Sequence, residues 1–354
     1  MAETSDQEQT VAGLGEAGVL KRILPRLRGA SMLLGPGDDA AIIDAPGGRF
    51  VVTIDTLVQD RDFRLNWRNG YQSSGYDVGW KSAAQNLSDV NAMGAVATAA
   101  VISLTLPPET PVAWVEGIAD GFSAAVRELG ADQCALAGGD LSSGSELSIT
   151  AALTGSIPGP ALLRSGARPG DILAVSGVLG AAAAGLALLE SEHDFTALDP
   201  SCATLVERQL RPRPPLSAGP RAAAAGATAA MDISDGLARD AGRLAEASGV
   251  SIDLESTSLR AIIGSMEREG IDLGAAAELM EQEPLNWVLS GGEDHGLLAT
   301  FPPDAALPSG FMRVGRVGRA SGDQDVRQCI SLDGAPYPSG SAGESSPGFD
   351  HFSG

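Results

Sequence analysis

An apolar run ends and a helix-like pattern begins within MDISDGLARD, residues 231–240, and the join carries Asp232, Asp235 and Asp240. An acid at the end of a short apolar run, or on a glycine turn, recurs along the chain. Asp38 and Asp39 lie in GPGDDAAIID (35–44), Asp55 in RFVVTIDTLV (49–58), Asp89 in NLSDV, Asp140 in CALAGGDLS (134–142), and Glu293 and Asp294 in SGGED. A strand end fixes a side chain rigidly and a glycine lets a ligand approach the backbone, so such joins favour functional groups. Each has an ordinary reading when taken alone: Asp before Gly is common turn chemistry, and Asp235 could cap the helix that follows. Their number constrains the fold. Acids that converge repel one another, and a divalent cation removes the repulsion. Oxygen-only ligands without His or Cys nearby suit Mg²⁺ rather than zinc.

The 354 residues allow two ordinary domains. A formal net charge of −21 argues against nucleic acid, whose phosphates need a basic surface. It leaves room for small phosphate ligands held through Mg²⁺. No apolar run approaches the ~20 residues that cross a bilayer. The acidic opening MAETSDQEQT has neither the basic nor the apolar region of a signal peptide. Residues 1–12 are therefore expected to be a disordered tail on a cytoplasmic protein with no membrane contact. Cys134, Cys202 and Cys329 are scattered, and neither a disulfide framework nor a zinc site follows from them. Lysine occurs only at 21 and 81, and no GxxxxGK[ST] run is present, which rules out a P-loop.

Periodicity predicts helices over 13–29, 75–95 and 111–129, the second stopping near Gly94, and strands over 49–58, 95–107, 134–142 and 146–158. GPALLRSGARPGD (159–171) shifts to Gly, Pro and Arg, and the domain boundary is placed there. A strand over 171–177, a helix over 179–190, a proline-rich crossing over 210–220 and a late strand over 311–320 follow, with strand, turn and strand expected over 285–302. Residues 336–348 read as flexible by composition. Strands and helices alternate in both halves, which predicts α/β or α+β layers, with domains over 13–158 and 159–354. SDGLARDAGRLAEASG reads as a helix with Leu237, Ala241, Leu244 and Ala245 inward and Gly249 as its stop. Its N-terminal amides and dipole suit phosphate, beside which Asp232 and Asp235 can hold Mg²⁺ and Ser234 can donate a hydrogen bond.

GDDAA, TIDTLV, VGWKSAAQNLSDVNAMGA, LAGGDLS, LLRSGARPGD, MDISDGLARD, LSGGEDHGLL and GFDHF occur in this order over nearly the whole chain. The set resembles the thiamine-monophosphate kinases, within the aminoimidazole-ribonucleotide-synthetase-like superfamily. The resemblance implies a two-domain α/β (α+β) fold of that type. The N-terminal domain would bind ATP and Mg²⁺ and pair across a homodimer into a β-barrel, and a C-terminal α/β domain would complete the cleft. It implies phosphorylation of thiamine monophosphate by ATP with several Mg²⁺ ions, giving thiamine diphosphate and ADP as the last step of thiamine diphosphate biosynthesis. Carried over by motif, Asp38, Thr53, Asp55, Asp89, Asp140, Asp232 and Asp235 would be metal ligands. Gly139, Asp140, Arg164 and Ser234 would contact ATP, and Asp235 and Arg164 would act in catalysis. Asp62, Glu293, Asp294 and Phe349 would face the acceptor.

The departures cluster at the acceptor end. Asp62 stands where the family carries a substrate-contacting His, Phe349 where it carries Trp, and His295 where it carries Tyr. Within the superfamily, selenophosphate synthetase would need a reactive Cys near the N-terminus, whereas the first here is Cys134. The hydrogenase-maturation carbamoyl dehydratase ends in a cysteine tail, whereas this chain ends FDHFSG. A nucleotide- or thiamine-phosphate-binding protein without activity is the alternative from another class. Arg164 suits a bidentate phosphate contact but also reads as a solvated linker residue. For Lys81, on the predicted helix, a structural or interface role outweighs a catalytic one.

Overall fold

The computed structural model describes residues 10, 19, 22–26, 50–320 and 329–337. β1 (Phe50–Val58), β2 (Val96–Leu106), β3 (Ala135–Ser143) and β4 (Ser148–Ser156) form a sheet in the order β1-β4-β2-β3. β4 is antiparallel to both neighbours, and β2 and β3 are parallel. Ile149, Ala151 and Leu153 alternate along β4 as buried residues, the period of a half-buried strand. They face α1 (Gly75–Ala92) and α2 (Val112–Glu128), where Trp80, Leu87, Val90, Phe122 and Val126 close one core with Ala151 and Leu153. The other face carries Phe50, Val52 and Ile54, which are 60, 68 and 64% exposed, and Val101 at 47%.

The helices after this sheet are α3 (Ala181–Glu190), α4 (Pro200–Leu210), α5 (Ala218–Ala224), α6 (Leu237–Ser248), α7 (Ser256–Arg268), α8 (Leu273–Met280) and α9 (Pro284–Ser290). They surround a seven-stranded sheet of β5 (Ile172–Ser176), β6 (Ala229–Ile233), β7 (Val250–Leu254), β8 (Gly296–Phe301), β9 (Phe311–Arg319), β10 (Ile330–Leu332) and β11 (Ala335–Pro336). Its order is β11-β10-β7-β9-β5-β8-β6, antiparallel except for β7 with β10. Leu173, Val175, Met231 and Ile233 pack one face against residues of α3, α4, α6 and α7. Ala174, Ala230, Leu297 and Ala299 pack the other against α5 and Ala92 of α1.

α1 is therefore shared. It starts in a capping box between Ser74 and Asp77 and ends at Met93, with Gly94 left-handed at φ 70°, where the sequence predicts its stop. Trp80 donates to the Pro212 carbonyl at 2.8 Å and Asn91 Oδ1 accepts from the Gly219 amide at 2.8 Å, so both sheets bury it. A helix covered nearly all round has few positions that tolerate change.

The predicted strand, turn and strand over 285–302 is instead helix α9 followed by β8. Pro284 takes the first helical turn, and Trp287, Val288 and Leu289 are all buried, a short apolar run that periodicity alone cannot assign. Among the described residues no helix is long and apolar enough to cross a membrane.

At Gly139 a Cβ would stand 1.6 Å from the Ile102 carbonyl oxygen on β2. Gly139→Ala is expected to force β2 and β3 apart and cost at least about 2 kcal/mol. A lower urea midpoint at unchanged slope would register this, and an unchanged midpoint would show that the sheet absorbs the methyl.

Candidate active site

Thr53 and Asp55 pair across β1 with Leu153 and Ala151, so they share the face turned to α1. Asp89 meets them from the last turns of α1, and Thr53 Oγ1 donates to Asp89 Oδ2 at 2.7 Å. Asp232 closes β6 on the other sheet, and Ser234 and Asp235 follow it before α6. A cavity of about 500 Å³ opens between the sheets, lined by Asp55, Asp62, Asp89, Arg164, Asp232, Ser234, Asp235, Glu293 and His295. A second cavity of about 240 Å³ shares Asp89, Arg164 and Asp232 with it. Its further walls are Val51, Val52, Thr53, Val90, Ala92, Met93, Ala230 and Met231.

The acids repel where they meet. Burial, Asp232 and Asp55 together push the Asp89 carboxyl up to about 7, against the lowering effects of the Thr53 hydrogen bond and His295. His295 Nδ1 lies 3.5 Å from Asp232 Oδ2, and its buried Nε2 has no partner among the described residues. Burial would lower the His295 pKa, but the hydrogen bond and charge of Asp232, with Glu293 and Asp89 beyond, raise it on balance. A cation at these oxygens would relieve the repulsion, so the donor set fits Mg²⁺. Among the described residues no three His, Cys, Asp or Glu side chains already form a ligand cage.

Two turns hold the groups in place. Asp240, fully buried, accepts from the amides of Ser234 and Asp235 at 3.0 and 2.9 Å through one oxygen and from Arg243 at 2.8 Å through the other. Burial pushes its carboxyl up to about 7 despite those bonds. Arg243 also pairs with Asp235 at 2.5 Å. The opposing turn is bound to the first: Glu293 N donates to Ser234 O at 2.9 Å and His295 N to Ile233 O at 3.2 Å. A Cβ at Gly292 would stand 2.3 Å from Ser234 O, so only glycine permits this approach. Glu293 Oε1 receives Lys81 Nζ at 2.7 Å and Oε2 receives Gln209 at 2.5 Å. Burial would raise the Glu293 pKa, but Lys81 and Gln209 hold it below the usual carboxylate range.

Several sequence expectations land elsewhere. Asp140 pairs through Ser103 and Thr150 to the row of Thr56, on the sheet face opposite Asp55, with three strand spacings between the two edges. It is exposed and accepts from Ser142, and neither it nor Gly139 lines either cavity. Asp294 is buried and turned to α3, whose Gly180 and Ala182 amides it accepts at 2.5 and 2.8 Å. Burial pushes its carboxyl up to about 7. It lines neither cavity. Asp235 does not cap α6, since Gly236 is the N-cap, and the amides of Ser234 and Asp235 serve Asp240 rather than standing open for phosphate. Asp38 and Phe349 lie outside the described residues. Sequence reasoning missed Gln85, Arg239 and Arg243, all of which line the larger cavity. Their signal was a spacing of four: Lys81, Gln85 and Asp89 along α1, and Arg239 and Arg243 along α6.

Residues 37–157 match the family described as AIR synthase related protein, N-terminal domain, and residues 168–319 match its C-terminal domain. The chain is 44% identical over 314 residues to a thiamine-monophosphate kinase of Mycobacterium tuberculosis, covering 88% of this chain and 87% of that protein. It is 33% identical over 348 residues to one of Salmonella typhimurium, covering 96 and 98%. The chain belongs to the thiamine-monophosphate kinase family. Family membership makes it an enzyme of the kinase class with the two-domain AIR-synthase-type fold expected from its motifs. The structure described as AaThiL complexed with AMPPCP and TMP superposes with a TM-score of 0.70 at 31% identity, over 96% of this chain and 97% of that one. Hydrogenase maturation protein HypE, at 17% identity and a TM-score of 0.61, shares the fold.

Asp89 binds its proton more tightly in the folded protein than in the unfolded chain, where a carboxyl titrates near 4. Its contribution to stability is therefore complete below about pH 4 and is lost as pH rises through about 7. Asp240 and Asp294 act in the same direction. In chelator the Tm is expected to fall between about pH 5 and pH 8. Added Mg²⁺ should flatten the slope, and Asp89→Asn should remove part of it. A Tm that rises over this range in chelator would overturn the assignment. In a separate variant, Asp294→Ala is expected to cost about 1–3 kcal/mol through the lost α3 amide bonds, visible in urea unfolding.

Proposed function

We propose that this chain transfers the γ-phosphoryl group of ATP to the phosphate of thiamine monophosphate, giving thiamine diphosphate and ADP. The observation that carries this reading is the pair of cavities joined at Asp89, Asp232 and Arg164. Two ligands that must bring their phosphates together need two arms with one shared polar junction. The apolar walls of the smaller arm suit a nucleobase. The larger arm, with Asp62 and Glu293, suits a cationic thiazolium. The names of relatives aligned over 88–96% of the chain, and a neighbour complexed with AMPPCP and TMP, support the same pair of substrates.

The reaction needs positioning and charge neutralisation more than proton transfer. A phosphate monoester loses its second proton near pH ~6, so the acceptor oxygen attacks without a general base. As it bonds to the γ-phosphorus, the bond to the β-bridging oxygen breaks, and that oxygen leaves on ADP. Arg164 has no ion-pair partner among the described residues and lines both arms, so its guanidinium is available to the transferred group. Ser248 Oγ holds its loop, accepting from Gly166 and Ala167 at 3.2 Å and donating to the Arg164 carbonyl at 3.0 Å. Ser234 donates from the floor of the larger arm. Thr53, Asp55, Asp89, Asp232 and Asp235 would hold Mg²⁺, which supplies neutralisation of phosphate charge and alignment of the two esters. The amides of α3 occupy Asp294, so Glu293 and Asp62, which line the larger arm, would meet the acceptor.

A homodimer that covers the face of Phe50, Val52, Ile54 and Val101 would remove that apolar surface from water and turn Asp140 toward a second chain. Pairing into a barrel along this sheet is the arrangement the motifs imply. Ile54→Asp is then expected to yield monomers in sedimentation, whereas an unaltered dimer would place the interface elsewhere.

A coupled assay for ADP release is expected to respond to thiamine monophosphate and not to free thiamine. Asp89→Asn or Asp235→Asn should lower kcat by at least about 10²-fold with the fold intact by circular dichroism. Normal turnover of either variant at limiting Mg²⁺ would remove that residue from the metal set. Binding of both substrates without any ADP would identify a binding protein instead.

A further inference from the structure

Lys81 is the buried cation that the proposed reaction leaves unused. It belongs to α1, and its side chain is only 5% exposed. Its ammonium reaches Glu293 Oε1 at 2.7 Å and the Asp62 carbonyl oxygen at 3.0 Å. Those partners lie far apart in sequence and on turns that adjoin different sheets. Asp62 follows β1, where its carboxylate accepts from the Val58 amide at 2.8 Å. Glu293 sits on the turn before β8, held at φ 67°. Gln209 of α4 takes the second carboxylate oxygen, so Glu293 has one donor from each side of the seam.

A buried ammonium is costly to desolvate, and bonding to a carboxylate and a carbonyl offsets that cost only when the geometry is held. Loosening of the seam would therefore cost the Lys81–Glu293 contact. The positions it ties are the two acceptor-side residues that line the larger cavity, Asp62 and Glu293. Asp89, eight residues along the same helix, points into the metal–phosphate junction, so one rigid element sets the spacing between acceptor end and phosphate end.

We propose that Lys81 is a positioning residue: its clasp on Glu293 and the Asp62 carbonyl sets the acceptor end of the cavity at a fixed distance from the phosphate junction. The proposal rests on the reading of Glu293 and Asp62 as acceptor contacts. It goes beyond that reading by making acceptor affinity depend on a residue that touches neither substrate.

Two measurements on the full-length protein test it. In steady-state kinetics, Lys81→Met is expected to raise the KM for thiamine monophosphate at least tenfold and leave the KM for ATP within about twofold. Lys81→Arg, which keeps the charge, should recover part of the loss. Lys81→Met combined with Glu293→Gln should raise the acceptor KM by less than the product of the two single effects, because both remove the Lys81–Glu293 contact. In hydrogen exchange without substrate, segments 58–64 and 290–296 should exchange faster in Lys81→Met and at an intermediate rate in Lys81→Arg. If Lys81→Met fails to fold, Lys81→Arg carries both measurements, with smaller shifts in the same directions. Equal rises in both KM values, an unchanged acceptor KM, or unaltered exchange in both segments would overturn the proposal. Wild-type protein that releases no ADP with thiamine monophosphate would instead sink the functional reading, and the exchange data would still decide whether the clasp exists.

Discussion

Like charge held close at a buried seam is the constraint on which the rest of this structure depends. Asp55 comes from one sheet, Asp232 from the other, and Asp89 from the helix between them. Left alone, three carboxylates facing one cavity would push the sheets apart. Burial first, and then the charges of Asp232 and Asp55, raise the Asp89 pKa. Packing opposes it. α1 is buried by both cores, and Trp80 and Asn91 bind backbone of the second half. Such an arrangement would suit polyanionic ligands brought in with divalent cations.

The two glycine turns show how such repulsion is held without a rigid cage. Glu293 and His295 both take left-handed backbone at φ 67 and 55°, a conformation costing about 1–3 kcal/mol each outside glycine. The carbonyls of Ser234 and Ile233 stabilise it by accepting their amides. Asp240 then ties the 234–235 turn to α6, and Arg243 spans Asp240 and Asp235. Arg243 thus aims both carboxylates from one side chain.

How far the sequence reveals this differs by element. α1, α2 and the four strands of the first sheet carry clean periodicity, and each forms where the pattern puts it. Asp55, Asp89 and Asp232 reach the larger cavity from within β1, α1 and β6, and Asp235 from the turn after β6; the sequence marks each as an acid set into or just after an apolar element. Asp294 was not separable from Glu293. Adjacent residues on a turn point in different directions, and only the tertiary contact with α3 shows which faces the cavity. Asp140 lies apart from Asp55 for a related reason: a one-residue step along a strand exchanges faces, and register is a property of the sheet, not of the GGD motif. The open amides expected at α6 were taken by Asp240, five residues beyond Asp235, whose burial no local pattern announces.

The same logic explains why Lys81 reads as ordinary in the sequence and special in the structure. On a helix surface a lysine is solvated and nearly free of consequence. On α1 the surface is missing, because both sheets close over the helix, and the ammonium must find its partners among the groups that flank the seam. Burial converts a generic residue into one whose contacts fix the spacing of two domains. A site assembled from both sheets gains in this way what a loop-borne site lacks. Its acidic groups are presented by elements packed against one another through α1, so a bound cation would not have to organise the protein around it.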